Sequence, residues 1–229
     1  MSTLYVVATP IGNLEDITLR ALRILKEVDL VLCEDTRVTK RLLARYEIST
    51  PTMGYHARSS NTKIEHIIEL LKQGKNLALV SDAGTPGISD PGSLLVSRVR
   101  DALSGAVSIV PIPGASALPA ALSIAGVPAS DTLFLGFLPH KKGRETLLRE
   151  VVASSRTVVL YESPHRILKT LSALANKISG DSKRRIVVCR ELTKKFEEIA
   201  LGTATHVRQY FIDHPEKVKG EFVVIVEGT

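Results

Sequence analysis

Ser81-Asp82-Ala83-Gly84-Thr85-Pro86-Gly87-Ile88-Ser89-Asp90-Pro91-Gly92 decides how this chain is read. Three glycines, two prolines and two aspartates fall in twelve residues. The apolar run Leu77-Ala78-Leu79-Val80 before it reads as a buried strand. Leu94-Leu95-Val96-Ser97-Arg98-Val99 after it fits a helix, started by Ser89 or Asp90 with Pro91 in the first turn. A strand thus passes through a glycine-rich, acidic loop into a helix. Glycine lets backbone approach a ligand closely, and proline holds the loop in shape before one arrives. Twelve residues are long for a plain strand-to-helix turn, which favours a ligand loop over a purely structural one. Asp82, at the strand end, is placed to reach a ribose, an amine or a sulfonium.

The same pattern recurs upstream. Leu4-Tyr5-Val6-Val7-Ala8 reads as a strand leading into Thr9-Pro10-Ile11-Gly12-Asn13. Asp16 is expected to cap the next helix, whose Ile17, Ala21, Ile24, Leu25 and Val28 keep helical spacing. Leu30-Val31-Leu32-Cys33 is a second strand, followed by Glu34-Asp35-Thr36-Arg37. Beyond it, Arg37, Lys40, Arg41 and Arg45 fall on one side of a helix, either a solvated face or a contact surface. Thr62-x-x-Glu65 reads as a capping box before a helix with Ile64, Ile67, Ile68 and Leu71 on one face. Val107-Ser108-Ile109-Val110 is a strand that exits into Pro111–Ala117.

This alternation predicts an α/β domain with a mainly parallel sheet, whose ligands sit beyond the carboxyl ends of the strands. Four loops leave four strand ends, and three of them are Gly/Pro loops. No Gly-x-Gly-x-x-Gly follows the first strand, and no Gly-Lys-Ser/Thr phosphate loop occurs.

A second α/β domain is expected over residues 115–229, after a first over 1–114. Ser116 to Ala125 reads as the bridging helix. Thr132–Leu138 is a strand followed by Pro139-His140-Lys141-Lys142-Gly143-Arg144, a loop whose charge serves phosphate contact or simple solvation. Thr157–Tyr161 is a strand; Glu162 follows, and Ser163-Pro164 is expected to start a helix with Ile167, Leu168, Leu171, Leu174 and Ile178 on its apolar face. Ile186–Cys189 leaves into Arg190-Glu191-Leu192-Thr193-Lys194-Lys195, and Phe222–Val226 is the last strand.

Composition bounds the rest. The 229 residues are 44% hydrophobic with mean hydropathy +0.12, enough for a real core. Asn13, Glu15 and Asp16 interrupt any signal-peptide pattern, and no apolar run approaches the ~18 residues that cross a bilayer. A cytoplasmic protein without a membrane partner is expected, with Cys33 and Cys189 as buried free thiols. No CxxC or His-x-x-x-His pattern occurs, so no metal is expected. Net charge is +6, and the excess is uneven. Residues 1–114 carry 13 Lys+Arg against 12 Asp+Glu; residues 115–229 carry 17 against 12. A basic second half hints at a polyanionic partner.

Six segments together carry a resemblance. They are Val7-Ala8-Thr9-Pro10-Ile11-Gly12-Asn13-Leu14-x-Asp16, Cys33-Glu34-Asp35-Thr36-Arg37, Ser81–Gly92, Pro113-Gly114-Ala115-Ser116-Ala117, Tyr161-Glu162-Ser163-Pro164-His165-Arg166 and Arg190-Glu191-Leu192-Thr193-Lys194. The chain resembles the bacterial ribosomal RNA small subunit methyltransferase I family of the tetrapyrrole methylase superfamily, from about residue 3 to 228. That resemblance implies two α/β domains with S-adenosylmethionine in the cleft between them. It implies methyl transfer to the 2′-hydroxyl of a cytidine in small-subunit ribosomal RNA, free or in the assembled subunit, by a homodimer. Carried over by motif, the cofactor touches Pro10, Asp82, Gly84, Thr85, Ser116, Ala117 and Tyr161. Some members continue into a small helical extension; this chain stops just after its last strand, and a weaker hold on RNA follows if that extension grips it.

A ribose hydroxyl is a poor nucleophile, so a base or a placed charge should help. Glu34, Asp35, Glu191 and Lys194, past strand ends, and His56 in a loop are candidates; an ion pair with Arg37 or Arg190 is the alternative for each. Arg37, Arg41, Lys141, Lys142, Arg166 and Arg190 are expected at RNA phosphates, a role that suits the planar arginine fork. Two rivals stand: methylation of a small tetrapyrrole at the same cofactor site, and an RNA-binding module without catalysis.

Overall fold

In the first half of the chain, apolar runs separated by Gly/Pro punctuation become short parallel strands. The computed structural model describes residues 2–56, 59–178 and 182–229, and the chain divides into two units, 1–116 and 117–229. The first holds β1 (Ser2–Val7), α1 (Leu19–Glu27), β2 (Leu30–Cys33), α2 (Thr36–Arg45), β3 (Thr52–Gly54), α3 (Asn61–Lys72), β4 (Leu77–Leu79), α4 (Gly92–Leu103) and β5 (Val107–Ile112). Strand order is β3-β2-β4-β1-β5, and every pairing is parallel. The chain moves one way across the sheet from β1 to β3, then back the other way to β5. Right-handed crossovers then require α1 and α2 on one face and α3 and α4 on the other. The core agrees. Ala21, Ile24, Leu25 and Leu43 pack with Val7, Val31 and Ala78. Ile64, Ile67, Leu71, Leu95 and Val99 pack with Leu4, Leu32, Leu77 and Leu79. The strand residues alternate between the two clusters with period two.

The second unit holds α5 (Ala117–Ala125), β6 (Thr132–Phe137), α6 (Arg144–Ala153), β7 (Thr157–Glu162), α7 (Ile167–Lys177), β8 (Ile186–Arg190), β9 (Glu198–Gly202), α8 (Ala204–Asp213) and β10 (Phe222–Val226). Its order is β6-β7-β10-β8-β9. Only β6 and β7 pair in parallel; β10 runs antiparallel between β7 and β8, and β9 is antiparallel to β8. This sheet is therefore mixed. Helices α6, α7 and α8 cover one face through Leu148, Leu171, Leu174, Val207 and Phe211, packed on Val158, Leu160, Val188 and Val224. Cys33 and Cys189 are both buried and unpaired.

Four helix starts differ from expectation: at α1 and α3 a neighbouring side chain takes the cap, and α4 and α7 start with no side-chain cap. Asp16 ends a short 3-10 turn, and Thr18 caps α1 by accepting from the Ala21 N–H at 3.0 Å. Ser60, not Thr62, caps α3, accepting from Lys63 N–H at 3.3 Å. Asp90 spends its carboxylate on the N–H groups of Gly87 and Gly92, so α4 starts after Pro91 without a side-chain cap. Ser163 lies in a turn, its carbonyl accepting from Arg166 and Ile167, and α7 starts at Ile167. Thr18→Ala should cost about 1 kcal/mol in urea unfolding, whereas Asp16→Ala should stay within about 0.5 kcal/mol. Equal losses would contradict the cap assignment.

Candidate functional site

All five strands of the first unit run parallel, so the loops after β1, β2, β4 and β5 leave from one edge. They are bonded to one another there. The N–H of Thr9 donates to the carbonyl of Gly84 at 2.9 Å, and Gly84 N–H returns to Thr9 at 3.1 Å. The Thr9 hydroxyl donates to the Ser81 carbonyl at 3.1 Å, and that of Thr85 to the Ala115 carbonyl at 3.2 Å. Asp35 N–H donates to Asp82 Oδ1 at 2.9 Å. Gly84 has φ +82°, and a Cβ there would lie 3.3 Å from Ile11 Cγ2 and 3.7 Å from the Ala115 carbonyl oxygen. Both the left-handed backbone and the close neighbours call for glycine.

Pro10, Asp82, Gly84, Thr85 and Ser116 therefore lie on loops that gather at this edge. The arrangement fits S-adenosylmethionine by its donor set. Asp82 supplies an exposed carboxylate, and Thr85 and Ser116 are half-buried hydroxyls, while Gly84, Ile11 and Ala8 are buried and Gly84 spends its N–H and carbonyl on Thr9. Ala117 and Tyr161 belong to the second unit. Ala117 opens α5, and Tyr161 sits near the end of β7, edge-on to Phe134 at 4.9 Å and Phe137 at 5.6 Å between centroids.

The adjacent acids Glu34 and Asp35 are held differently. Partial burial, then the charges of Asp82 and Asp90, push the Glu34 carboxyl above its usual range. The Arg37 side chain and backbone N–H hold Asp35 down at about 2. Asp35 caps α2 through Arg37 N–H at 2.8 Å and pairs with the Arg37 guanidinium at 2.5 Å. Asp35 is thus a helix cap and an ion-pair partner of Arg37. Arg37, Lys40, Arg41 and Arg45 are all exposed along α2. His56, in the loop after β3, is also exposed, its N–H on Ser59 Oγ at 2.9 Å.

In the second unit the ends of β6, β7 and β8 share an edge with the starts of β9 and β10, and several expected contact residues are spent there. Glu191 Oε1 accepts from Lys194 Nζ at 2.9 Å and Glu221 N–H at 3.0 Å, and Lys194 also reaches Glu221 Oε2 at 2.8 Å. Burial opposes charge on both, yet Glu191 is held below the usual carboxylate range and Lys194 above the usual amine range by these partners. The pair is a charged clamp rather than a proton acceptor. Arg190 is buried; it donates to the carbonyls of Lys219 at 2.9 Å and Phe196 at 3.0 Å. Arg166 pairs with Glu162 at 2.9 Å and donates to the Leu138 carbonyl at 2.7 Å. Neither arginine is free to grip a phosphate. Lys141 and Lys142 are exposed and have no ion-pair partner among the described residues.

Glu162 carries more than its sequence position announces. Its side chain is 1% exposed and accepts from Ser163 N–H at 2.9 Å and Thr170 Oγ1 at 2.6 Å, with Arg166 and Arg144 alongside. Arg144, adjacent in sequence to the basic loop, is buried against Thr170 at 2.6 Å. The loop carrying Lys141 and Lys142 is thereby strapped down at Leu138 and Arg144. An acid ending a strand with an arginine four residues on was the available signal. Among the described residues no group of three or more His, Cys, Asp or Glu could hold a metal.

The family model described as Tetrapyrrole (Corrin/Porphyrin) Methylases matches residues 3–208. "Ribosomal RNA small subunit methyltransferase I" of Haemophilus influenzae is 46% identical over 98% of this chain and 78% of its own length. The protein of that name from Bacillus subtilis is 47% identical over 100% of this chain and 76% of its own length. The one from Thermotoga maritima is 44% identical over 100% and 99%. Among solved structures, the methyltransferase CobJ is similar at TM-score 0.73 and 19% identity, over 100% of this chain and 95% of its own. A uroporphyrin-III-C-methyltransferase from Thermus thermophilus is similar at TM-score 0.68 and 18% identity, over 99% and 94%. These two show the fold.

Gly84→Val should reduce affinity for S-adenosylmethionine at least about tenfold in calorimetry, while leaving one cooperative thermal transition. Unchanged affinity would remove the edge of the first unit as the cofactor site.

Proposed function

We propose a substrate and a chemistry for a chain that belongs to the tetrapyrrole methylase family and, within it, to the ribosomal RNA small subunit methyltransferase I family: 2′-O-methylation of a cytidine in small-subunit ribosomal RNA. The chain is a methyltransferase, and S-adenosylmethionine is its methyl donor. The observation that carries the RNA reading is identity of 44–47% over 98–100% of the chain to relatives named for that RNA.

S-adenosylmethionine supplies an electrophilic methyl group when bound; the protein must align a nucleophile with it and exclude water. The bonded loops after β1, β4 and β5 hold the donor in a shape that exists before it binds. Glu34 takes the proton of the ribose hydroxyl. Its raised pKa brings it nearer the operating pH, where a base is most effective. Asp82 and Asp90 make Glu34 a stronger base by charge repulsion, and Asp82 also steadies the Glu34–Asp35 turn by accepting from Asp35 N–H. The exposed stripe Arg37, Lys40, Arg41 and Arg45, with Lys141 and Lys142, meets backbone phosphates. Such contacts position the strand without choosing the base. Among the described residues no helix is long and apolar enough to cross a membrane. A cytoplasmic homodimer completes the proposal; sedimentation at the monomer mass of 24.9 kDa at micromolar protein would contradict the dimer.

Glu34→Gln should lower kcat by roughly 10²- to 10⁴-fold. In the native protein kcat should rise with pH through the raised pKa of Glu34 and then level, because the ionised form is the base. The folded protein binds that proton more tightly than the unfolded chain, so the stability it contributes is lost as pH rises through the same pKa. Asp82→Asn keeps the acceptor but removes a negative charge, and should move the kinetic limb to lower pH. A limb that persists in Glu34→Gln would assign the base elsewhere. RNA with a 2′-deoxy sugar at the target should bind and accept no methyl; continued transfer to that nucleotide would overturn the hydroxyl assignment. Arg41→Ala should flatten the salt dependence of RNA binding by a slope of about 0.7.

A further inference from the structure

We infer that Phe196 is a stacking platform for an unpaired nucleobase of the RNA, a site that deepens and rests on the RNA reading above. Its side chain lies on the β8–β9 connection and is 63% exposed, more than any other phenylalanine or tyrosine of the described residues. An isolated exposed apolar side chain is ordinary on a protein surface. The backbone beneath this one is not ordinary. Glu191 and Thr193 both hold left-handed φ, 51° and 65°, although neither is glycine. For a β-branched threonine that conformation persists only where the surroundings impose it.

The surroundings do so through several independent bonds. Buried Arg190 holds the Phe196 carbonyl at 3.0 Å and the Lys219 carbonyl at 2.9 Å, tying the β8–β9 loop to the segment before β10. Glu191 N–H donates to the Glu221 carbonyl at 2.9 Å, and Lys194 closes the Glu191–Glu221 clamp. The Glu191 side chain lies flat on Gly220, where a Cβ would fall 2.3 Å from Glu191 Cδ. Glu197 fastens the far side by accepting from the Thr193 N–H at 2.5 Å. An aromatic ring presented on so constrained a backbone loses little freedom on stacking.

The chemistry around the ring selects the occupant. Lys195 Nζ stands 5.6 Å from the Phe196 centroid, and Lys195 and Lys219 are both exposed. An aromatic face flanked by cations matches a nucleobase with its neighbouring phosphates, the pattern of sequence-tolerant single-strand binding. The same edge of the sheet carries Lys141 and Lys142 beyond β6, with Phe137 at the β6 end 52% exposed. From β6 to β8 are three strand spacings, about 14 Å. A single strand crossing this edge would meet cations at both ends and Phe196 at the β8 end.

The test uses the full chain and a short single-stranded RNA carrying 2-aminopurine, titrated at low salt, beside calorimetry with S-adenosylmethionine. The wild-type protein should quench the probe. Phe196→Ala should weaken RNA binding by roughly 5- to 150-fold, remove the quench and leave cofactor affinity unchanged. Phe196→Trp should bind within about twofold of wild type. Phe196→Leu, apolar but without a π face, should bind as poorly as the alanine variant. Wild-type RNA affinity in Phe196→Ala would overturn the platform alone. Failure of the wild-type protein itself to bind RNA would overturn both the platform and the RNA reading. A change in sedimentation of Phe196→Ala would mark the ring as a protein contact and overturn the platform as well.

Discussion

The pair of backbone hydrogen bonds between Thr9 and Gly84 is the constraint on which the first unit's edge depends. It joins the loop after β1 to the loop after β4, beyond the last pairing of two adjacent strands. Each bond contributes only about 1 kcal/mol net. Their effect is geometric. They fix Gly84 at a φ that other residues resist and bring Thr85 to the Ala115 carbonyl beyond β5. Asp82, within the same loop, receives the Asp35 N–H from beyond β2. One bridge thereby ties four chain segments into a single surface, and Glu34 sits among the acids that this surface gathers.

The second unit uses charge for the same end. Glu162 with Arg144 and Arg166, and Glu191 with Lys194 and Glu221, spend ionised side chains on holding loops. Burying Glu162, Arg144 and Arg166 carries a desolvation cost that their mutual attraction only partly offsets. What they gain is a fixed backbone under residues that remain exposed: Lys141 and Lys142 on one loop, Lys195 and Phe196 on another. Inner charges thereby shape the edge, and the outer ones stay exposed.

Much of the first unit was legible because four of its five strands are largely apolar runs and its loops are marked by glycine and proline; β3, Thr52-Met53-Gly54, is no apolar run and went unread. The parallel sheet and its four loop edges follow from that pattern alone. The helix starts slipped by one to three residues; at α1 and α3 Ser, Thr and Asp cluster near the start and only geometry decides which oxygen faces the free N–H groups, and at α4 and α7 no side-chain oxygen caps the helix. Strand β9 was illegible: it places Ile199 and Leu201 outward and only small Ala200 in the core. The insertion of β10 between β7 and β8 was also hidden, since pairing of Phe222 with Glu162 and Arg190 is long-range. The charged candidates divided for a related reason. Sequence names a charge but not its partner, so for Asp35, Glu191 and Lys194 a catalytic role and an ion pair stood side by side, and Arg166 and Arg190 were read as phosphate contacts. In the fold they are caps and clamps.

Transfer of a labelled methyl group from S-adenosylmethionine to small ribosomal subunits that lack the modification tests the central claim most directly. The RNA is recovered, hydrolysed in alkali, and the labelled nucleotide mapped. Methylation of a ribose hydroxyl removes the nucleophile that alkali uses to cut the chain. The label is therefore predicted in an alkali-resistant dinucleotide whose methylated sugar belongs to cytidine. Label recovered in an alkali-released mononucleotide, methylated on the base, would contradict it, as would subunits that accept no methyl at all.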